Sequence, residues 1–239
     1  MEIFSMNHIQ ELLNVSFVIP VRIDSYERSR NLDLLLDFIL HHFKSKIYIM
    51  EADSSQHYIL KEKHPQVEYH FIKDENPVFQ HTLYLNYLYQ LVTTSIIAGW
   101  DTDAIVPATQ ITEVVNQIES GKAVMGLPYN GIMYATDPIH LQMYTQSGDI
   151  GVLQKNIPYM FPMYGSLSMG GAFIVNRNEY LQSGGDNENF LGWGPEDFER
   201  IKRMEILYPE FPIYRASGSL FHLWHPRLLN SGYANIQYE

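Results

Sequence analysis

The chain contains 0 cysteines, which excludes a disulfide framework and any thiolate-ligated metal centre and fits a reducing compartment. Basic residues are also scarce: 16 Lys and Arg against 27 Asp and Glu leave a formal net charge of -11. Such a surface repels polyanions, so neither nucleic acid nor an anionic membrane is expected as a partner. An anionic ligand would need local help, from a metal or a few placed arginines. No apolar run nears the roughly 18 residues that span a bilayer, so no integral membrane segment is expected. Residues 1–8 carry no basic region followed by an apolar core, so no secretory signal is expected either. A cytoplasmic location is the default. Internal repeats, low-complexity tracts and interdomain linkers are likewise missing.

What is present is apolar and periodic. Hydrophobic residues make up 46% of the 239 positions and charged residues 18%, enough for one large domain or two small ones with a substantial core. Residues 15–21 are apolar and β-branched and predict a buried strand ending at Arg22-Ile23-Asp24. Leu32, Leu35, Leu36, Ile39, Leu40 and Phe43 recur on one helical face. A second strand over 46–50 runs into Glu51-Ala52-Asp53, and Ser54 or Ser55 would cap a short helix to about residue 63. A strand over 67–72, a helix over 79–93 and a strand over 96–100 follow. Strands alternating with helices specify an α/β fold with a mostly parallel, helix-covered sheet.

Further along, Pro107 and Gly121 bracket a helix, and residues 123–127 form a strand. Residues 128–162 read as a long irregular connection with a helix after Asp137-Pro138, and such a connection is a candidate lid. A glycine pair, Gly170-Gly171, feeds a strand over 172–176, and a helix over 177–182 is stopped by Gly184-Gly185. Pro195 opens a last helix, anchored by Phe198, Ile201, Met204 and Leu207. Strands over 213–216 and 219–224 close the fold.

The strand exits carry the chemistry. Asp24, Glu51 with Asp53, and Asp101 with Asp103 all fall where ligands bind in open α/β sheets. In Trp100-Asp101-Thr102-Asp103 the two carboxylates have no basic sequence neighbour, so a hard divalent cation would relieve them. A plain turn is the simpler alternative for that tripeptide. Glu196 and Asp197 occupy a helix first turn, where acids also serve the helix dipole alone. Gly192-Trp193-Gly194 before them would present a flat ring to a sugar face. His222 and His225 end the final strand; imidazole can complete a divalent-ion site begun by carboxylates, though each also reads as an ordinary polar terminus. Arg22 is the best anchor for a nucleotide phosphate in this acidic chain, or else a surface charge.

Taken in order, these elements resemble the inverting glycosyltransferases of GT-A fold, most closely the catalytic region of beta-1,4-galactosyltransferases and chondroitin polymerases. The likeness runs from Val15 to about Arg227. It rests on Pro20-Val21-Arg22, Asp101-Thr102-Asp103-Ala104-Ile105-Val106-Pro107, Gly170-Gly171-Ala172-Phe173, Gly192-Trp193-Gly194-Pro195-Glu196-Asp197 and His222-Leu223-Trp224-His225. Pro195 stands where the family has glycine, Phe198 where galactosyltransferases often have another acid, and His222 where they have Met.

The resemblance implies a single GT-A domain over 1–239, with a nucleotide-binding half at about 15–127 and an acceptor-binding, catalytic half at about 128–239. It implies Mn²⁺ (or Mg²⁺) held by Asp103, His225 and His222. Pro20, Arg22, Asp24, Asp53, Asp101 and Gly171 would bind a UDP-sugar donor. Trp193, Gly194 and Glu196 would bind a carbohydrate acceptor, and Asp197, with Glu196, would be catalytic. Activity would be transfer of a hexose, of galactose or N-acetylhexosamine type, in surface polysaccharide or glycan synthesis. A non-catalytic nucleotide-sugar or glycan-binding protein of the same fold is the alternative. A nucleotidyltransferase fits less well, because no Gly-rich basic loop follows the first strand.

Overall fold

The computed structural model describes residues 9–192 and 194–226. The central sheet begins with β1 (Gln10–Val21), β2 (Phe43–Asp53) and β3 (Val67–Lys73). It continues through β4 (Ile96–Trp100) and is extended by β8 (Ala172–Asn176), β6 (Met125–Leu127) and β9 (Tyr214–Arg215). Its order is β3-β2-β1-β4-β8-β6-β9, with β8 antiparallel to both neighbours and every other pairing parallel. A second sheet, β5-β10-β7, joins β5 (Ala104–Ile105), β10 (Leu220–His222) and β7 (Met133–Ala135). The architecture is the mixed α/β fold that the strand and helix periodicities predict.

Helices flank the sheet: α1 (Tyr26–His42), α2 (His81–Leu91), α3 (Ala108–Glu119), α4 (Pro138–Ser147), α5 (Gly151–Asn156), α6 (Arg177–Gln182) and α7 (Glu196–Leu207). The apolar stripe of α1 buries Leu32, Leu35, Leu36 and Ile39, as its spacing requires. Ser25 caps the helix by accepting from the Arg28 N–H at 3.2 Å. Under the sheet, Phe17 meets Phe43 at 6.1 Å and Trp100 at 5.5 Å between ring centroids. Pro20 lies buried near the end of β1, opposite Met50. The β4 pairing has already ended at Val18, so the missing Pro20 N–H breaks no ladder bond on that side.

Several expectations fail. Of the four residues expected to anchor α7, Ile201 and Met204 are buried, but Phe198 and Leu207 are exposed. The short helix after Ser54 or Ser55 is a loop, because the buried carboxylate of Glu51 captures its backbone. That carboxylate accepts from the N–H of His57 at 2.8 Å and of Tyr58 at 3.0 Å, and also from the Tyr69 hydroxyl. Within residues 128–162 the helix expected after Asp137-Pro138 is present, but the remainder is more regular than expected. These residues form β7, α4 and α5 and bury Tyr129, Met133, Leu141, Tyr144 and Leu153. Asp137 caps α4 by accepting from the His140 N–H at 2.8 Å.

Candidate active site

The turn after β4 is fixed from four directions. The Trp100 indole donates to the Ala104 carbonyl at 2.8 Å, and the Ala104 N–H reaches back to the Asp101 carbonyl at 3.2 Å. The Asp101 N–H donates to the Gly171 carbonyl at 2.9 Å, and the Leu223 N–H to the Asp103 carbonyl at 2.7 Å. With every strut in place, the two carboxylates leave the turn on different sides.

Asp103 points into a buried space shared with β10. His222 Nε2 lies 3.5 Å from its Oδ1 and His225 Nε2 lies 3.1 Å from its Oδ2. Antiparallel pairing of His222 with Ala104 sets the first approach. The second depends on the chain beyond β10, which buried Asn31 of α1 holds by donating to the carbonyls of Leu223 at 3.2 Å and Trp224 at 3.3 Å. Thr136 assists, accepting from the Trp224 N–H at 2.8 Å. One ligand atom from each of Asp103, His222 and His225 fits within a 4.8 Å cluster.

The chemistry of this set suits a cation. Burial pushes the Asp103 carboxyl up, but His222, the His225 hydrogen bond and Arg28 outweigh it and hold the group well below the usual carboxylate range. His225 Nδ1 lies 2.9 Å from the Pro226 carbonyl. In this structure His225 Nε2–H donates to Asp103; burial lowers the His225 pKa, but that hydrogen bond and the Asp103 charge outweigh it and raise the pKa. A cation bound here would take the place of the Nε2 proton. One carboxylate and two imidazoles make a mixed nitrogen and oxygen donor set of the kind that holds a divalent metal ion.

The expectation that this carboxylate lacks a basic neighbour does not hold in three dimensions. Arg28 Nη1 is 3.6 Å from Asp103 Oδ2, and Arg28 Nε is 3.1 Å from Asp24 Oδ1. The sequence carries the clue, since Asp24 and Arg28 stand four residues apart across a helix start. Asp24 Oδ2 is buried without a hydrogen-bond partner.

Arg22 is placed differently from the expected phosphate anchor. It is buried, and its guanidinium donates to the carbonyls of Ala52 and Asn76 and to Asp74 Oδ2, each at 2.8 Å. Those bonds brace the wall beyond β2 and β3. Asp53 accepts from the Ser54 N–H at 2.7 Å, at the carboxyl end of β2.

Asp101 faces the other way, 43% exposed, with His81 Nε2 3.4 Å from its Oδ1. His81, from the start of α2, escaped the sequence reading because nothing local marks it. Burial lowers its pKa, yet Asp101, Glu196 and Asp197 raise it further, for a net upward shift. Its Nδ1 is buried and unpartnered, as is Glu196 Oε2. Burial and the adjacent Asp197 push the Glu196 carboxyl up to about 7. Such displaced titrations concentrate where reactions occur.

Asp197 sits between the glycine pair and a buried cation. Its carboxylate pairs with Arg200, whose other bonds go to Asp186 at 2.7 Å and 2.9 Å and to the Tyr180 hydroxyl at 3.0 Å. The Arg200 guanidinium lies over the Phe173 ring, 4.2 Å from its centroid. A Cβ on Gly170 would come 2.3 Å from Asp197 Oδ2, so only glycine lets this carboxylate lie against the backbone. Gly171, at φ +86, needs glycine for its backbone conformation. Gly194 adjoins Glu196. Trp193 lies outside the described residues.

No family model and no curated protein matches the chain. Among solved structures, the chain is similar to the catalytic domain of Drosophila beta1,4-galactosyltransferase 7 in complex with xylobiose. Identity is 14% over 87% of this chain and 65% of that one, with a TM-score of 0.47. It is also similar to a mutant of that enzyme in complex with manganese, UDP-Gal and xylobiose, at 14% identity, the same coverage of 87% and 65%, and a TM-score of 0.49. The chain thus spans 65% of the length of the structures it resembles. Among the described residues no helix is long and apolar enough to cross a membrane.

Proposed function

We propose that the chain is a metal-dependent inverting glycosyltransferase that moves a hexose, of galactose or N-acetylhexosamine type, from a UDP-sugar to a carbohydrate hydroxyl in glycan or polysaccharide synthesis. The observation that carries this reading is the juxtaposition at one sheet edge. Asp103, His222 and His225 meet on one side of the Asp101–Asp103 turn, and Glu196 and Asp197 stand beyond Gly170 and Gly171 on the other.

In this reading Asp103, His222 and His225 hold Mn²⁺ or Mg²⁺. Bound there, the ion would neutralise charge on the departing diphosphate as a Lewis acid. Asp24 and Asp53 take the nucleoside end, within a donor half at about 15–127. Residues from about 128 onward, with Trp193 and Gly194, take the acceptor. Asp197 accepts the proton of the attacking hydroxyl. The acceptor oxygen forms its bond to the anomeric carbon from the face opposite the diphosphate, whose oxygen leaves with the electrons of the broken bond. Inversion follows from that single displacement. Arg200 fixes the direction of Asp197, and protonated Glu196 can donate a hydrogen bond to a sugar oxygen, which an ordinary carboxylate at neutral pH cannot.

The test supplies UDP-hexoses, Mn²⁺ and a panel of saccharide acceptors, and follows UDP release together with product anomeric configuration. Asp197→Asn should lower transfer by roughly 10²–10⁴-fold, the usual worth of a positioned base. Transfer near the wild-type rate in that variant, or a product with retained configuration, would remove the mechanism.

A further inference from the structure

We propose that Arg28 is a ligand for the donor diphosphate, kept beside the metal site by Asp103 until a divalent ion takes that carboxylate. The idea deepens the glycosyltransferase reading and rests on it. Arg28 Nη1 and His225 Nε2 approach the same oxygen, Asp103 Oδ2, at 3.6 Å and 3.1 Å. A metal held by Asp103, His222 and His225 would draw on that carboxylate, so ion and guanidinium would compete for its charge. The other end of the guanidinium stays pinned, with Nε 3.1 Å from Asp24 Oδ1. A turn about the bond to Asp24 would carry the Nη end away from Asp103.

Charge gives the turn a direction. Asp24 and Asp103 with Arg28 leave one net negative charge, and a divalent ion converts it to one net positive charge. A dication beside a guanidinium is repulsive unless an anion joins both, and a diphosphate is such an anion. Among the described residues, three other guanidiniums also have protein partners. Arg22 is held by Ala52, Asn76 and Asp74; Arg200 by Asp186, Asp197 and Tyr180; Arg30 donates to Asn31 and to the Trp224 carbonyl. The Arg28 side chain is 14% exposed, so little water stands between it and these partners. Its planar fork also suits phosphate oxygens.

Metal and nucleotide should therefore bind with positive coupling that runs through one side chain. Calorimetry reads this without turnover. In Arg28→Gln, Mn²⁺ alone should bind about threefold tighter or more, because its competitor is gone, a gain typical of relieving one screened charge contact. UDP at saturating Mn²⁺ should bind about tenfold weaker or more, the loss expected of one charge-assisted hydrogen bond. A merely structural arginine would weaken both. Arg28→Lys keeps the charge and loses the fork. It should hold Mn²⁺ within about twofold of wild type and bind UDP with intermediate affinity, and it serves if the Gln variant fails to fold. Weaker Mn²⁺ binding in folded Arg28→Gln, or unchanged UDP binding there while the wild type binds UDP well, overturns this inference alone. A wild-type protein that binds Mn²⁺ but no UDP overturns the glycosyltransferase reading and this inference with it.

Discussion

Glu196 should make the protein less stable as the solution becomes more alkaline. Its carboxyl is 7% exposed, one oxygen has no partner, and Asp197 lies next in the chain. Folding raises its pKa from 4.5 to about 7, so the native state retains a proton that the unfolded chain has already released. Between those values the unfolded state binds fewer protons, and unfolding free energy falls as pH rises. At about 1.4 kcal/mol per pH unit the full effect is about 3 kcal/mol; partial solvent access makes about 1–3 kcal/mol the working range. Glu196→Gln keeps the shape and removes the titration. Urea denaturation at about pH 4 and about pH 8 decides the matter. The variant should match wild type at about pH 4 and exceed it by about 1–3 kcal/mol at about pH 8. A variant no more stable than wild type at the higher pH would refute the reasoning. The destabilised acid would then be absent, and with it the argument that Glu196 donates a hydrogen bond at neutral pH.

Asp103→Ala should abolish the thermal stabilisation that Mn²⁺ confers, and His225→Ala should weaken Mn²⁺ binding about tenfold or more by calorimetry. Gly170→Ala places a methyl 2.3 Å from Asp197 Oδ2. It should cut kcat by about tenfold or more while UDP binding stays unchanged, since a small displacement of a base is costly. Arg200→Met strands buried Asp186 and should cost about 3–5 kcal/mol in denaturant unfolding. Gly99→Ala drives a Cβ to 2.3 Å from the Phe173 ring and should cost about 1–3 kcal/mol by overpacking, read from the same curves.

Much of the frame is legible in the chain itself. The stripe from Leu32 to Leu40, the β-branched run of β1 and the apolar approach to Asp101 are local patterns, and each formed the predicted element, although Phe43 at the end of the stripe begins β2. Pro195 and the acids after it likewise marked the start of α7. Where a distant group intervened, local reading failed. Nothing near Ser54 announces that Glu51 will capture the His57 and Tyr58 amides. Asp137-Pro138 announced α4, but the sparse apolar pattern after it hides α5, which buries only Leu153.

The site divides along the same line. Residue type and order singled out Asp103, His222, His225, Glu196 and Asp197, because few side chains can bind a metal or move a proton. Only tertiary structure decided that Asp103 turns to the histidines while Asp101 turns to His81, and that Arg28 stands beside Asp103 while Arg22 braces a wall. Those choices depend on pairings between residues far apart in the chain, such as Ala104 with His222. Electrostatic energy varies with separation in space, and sequence distance does not encode it.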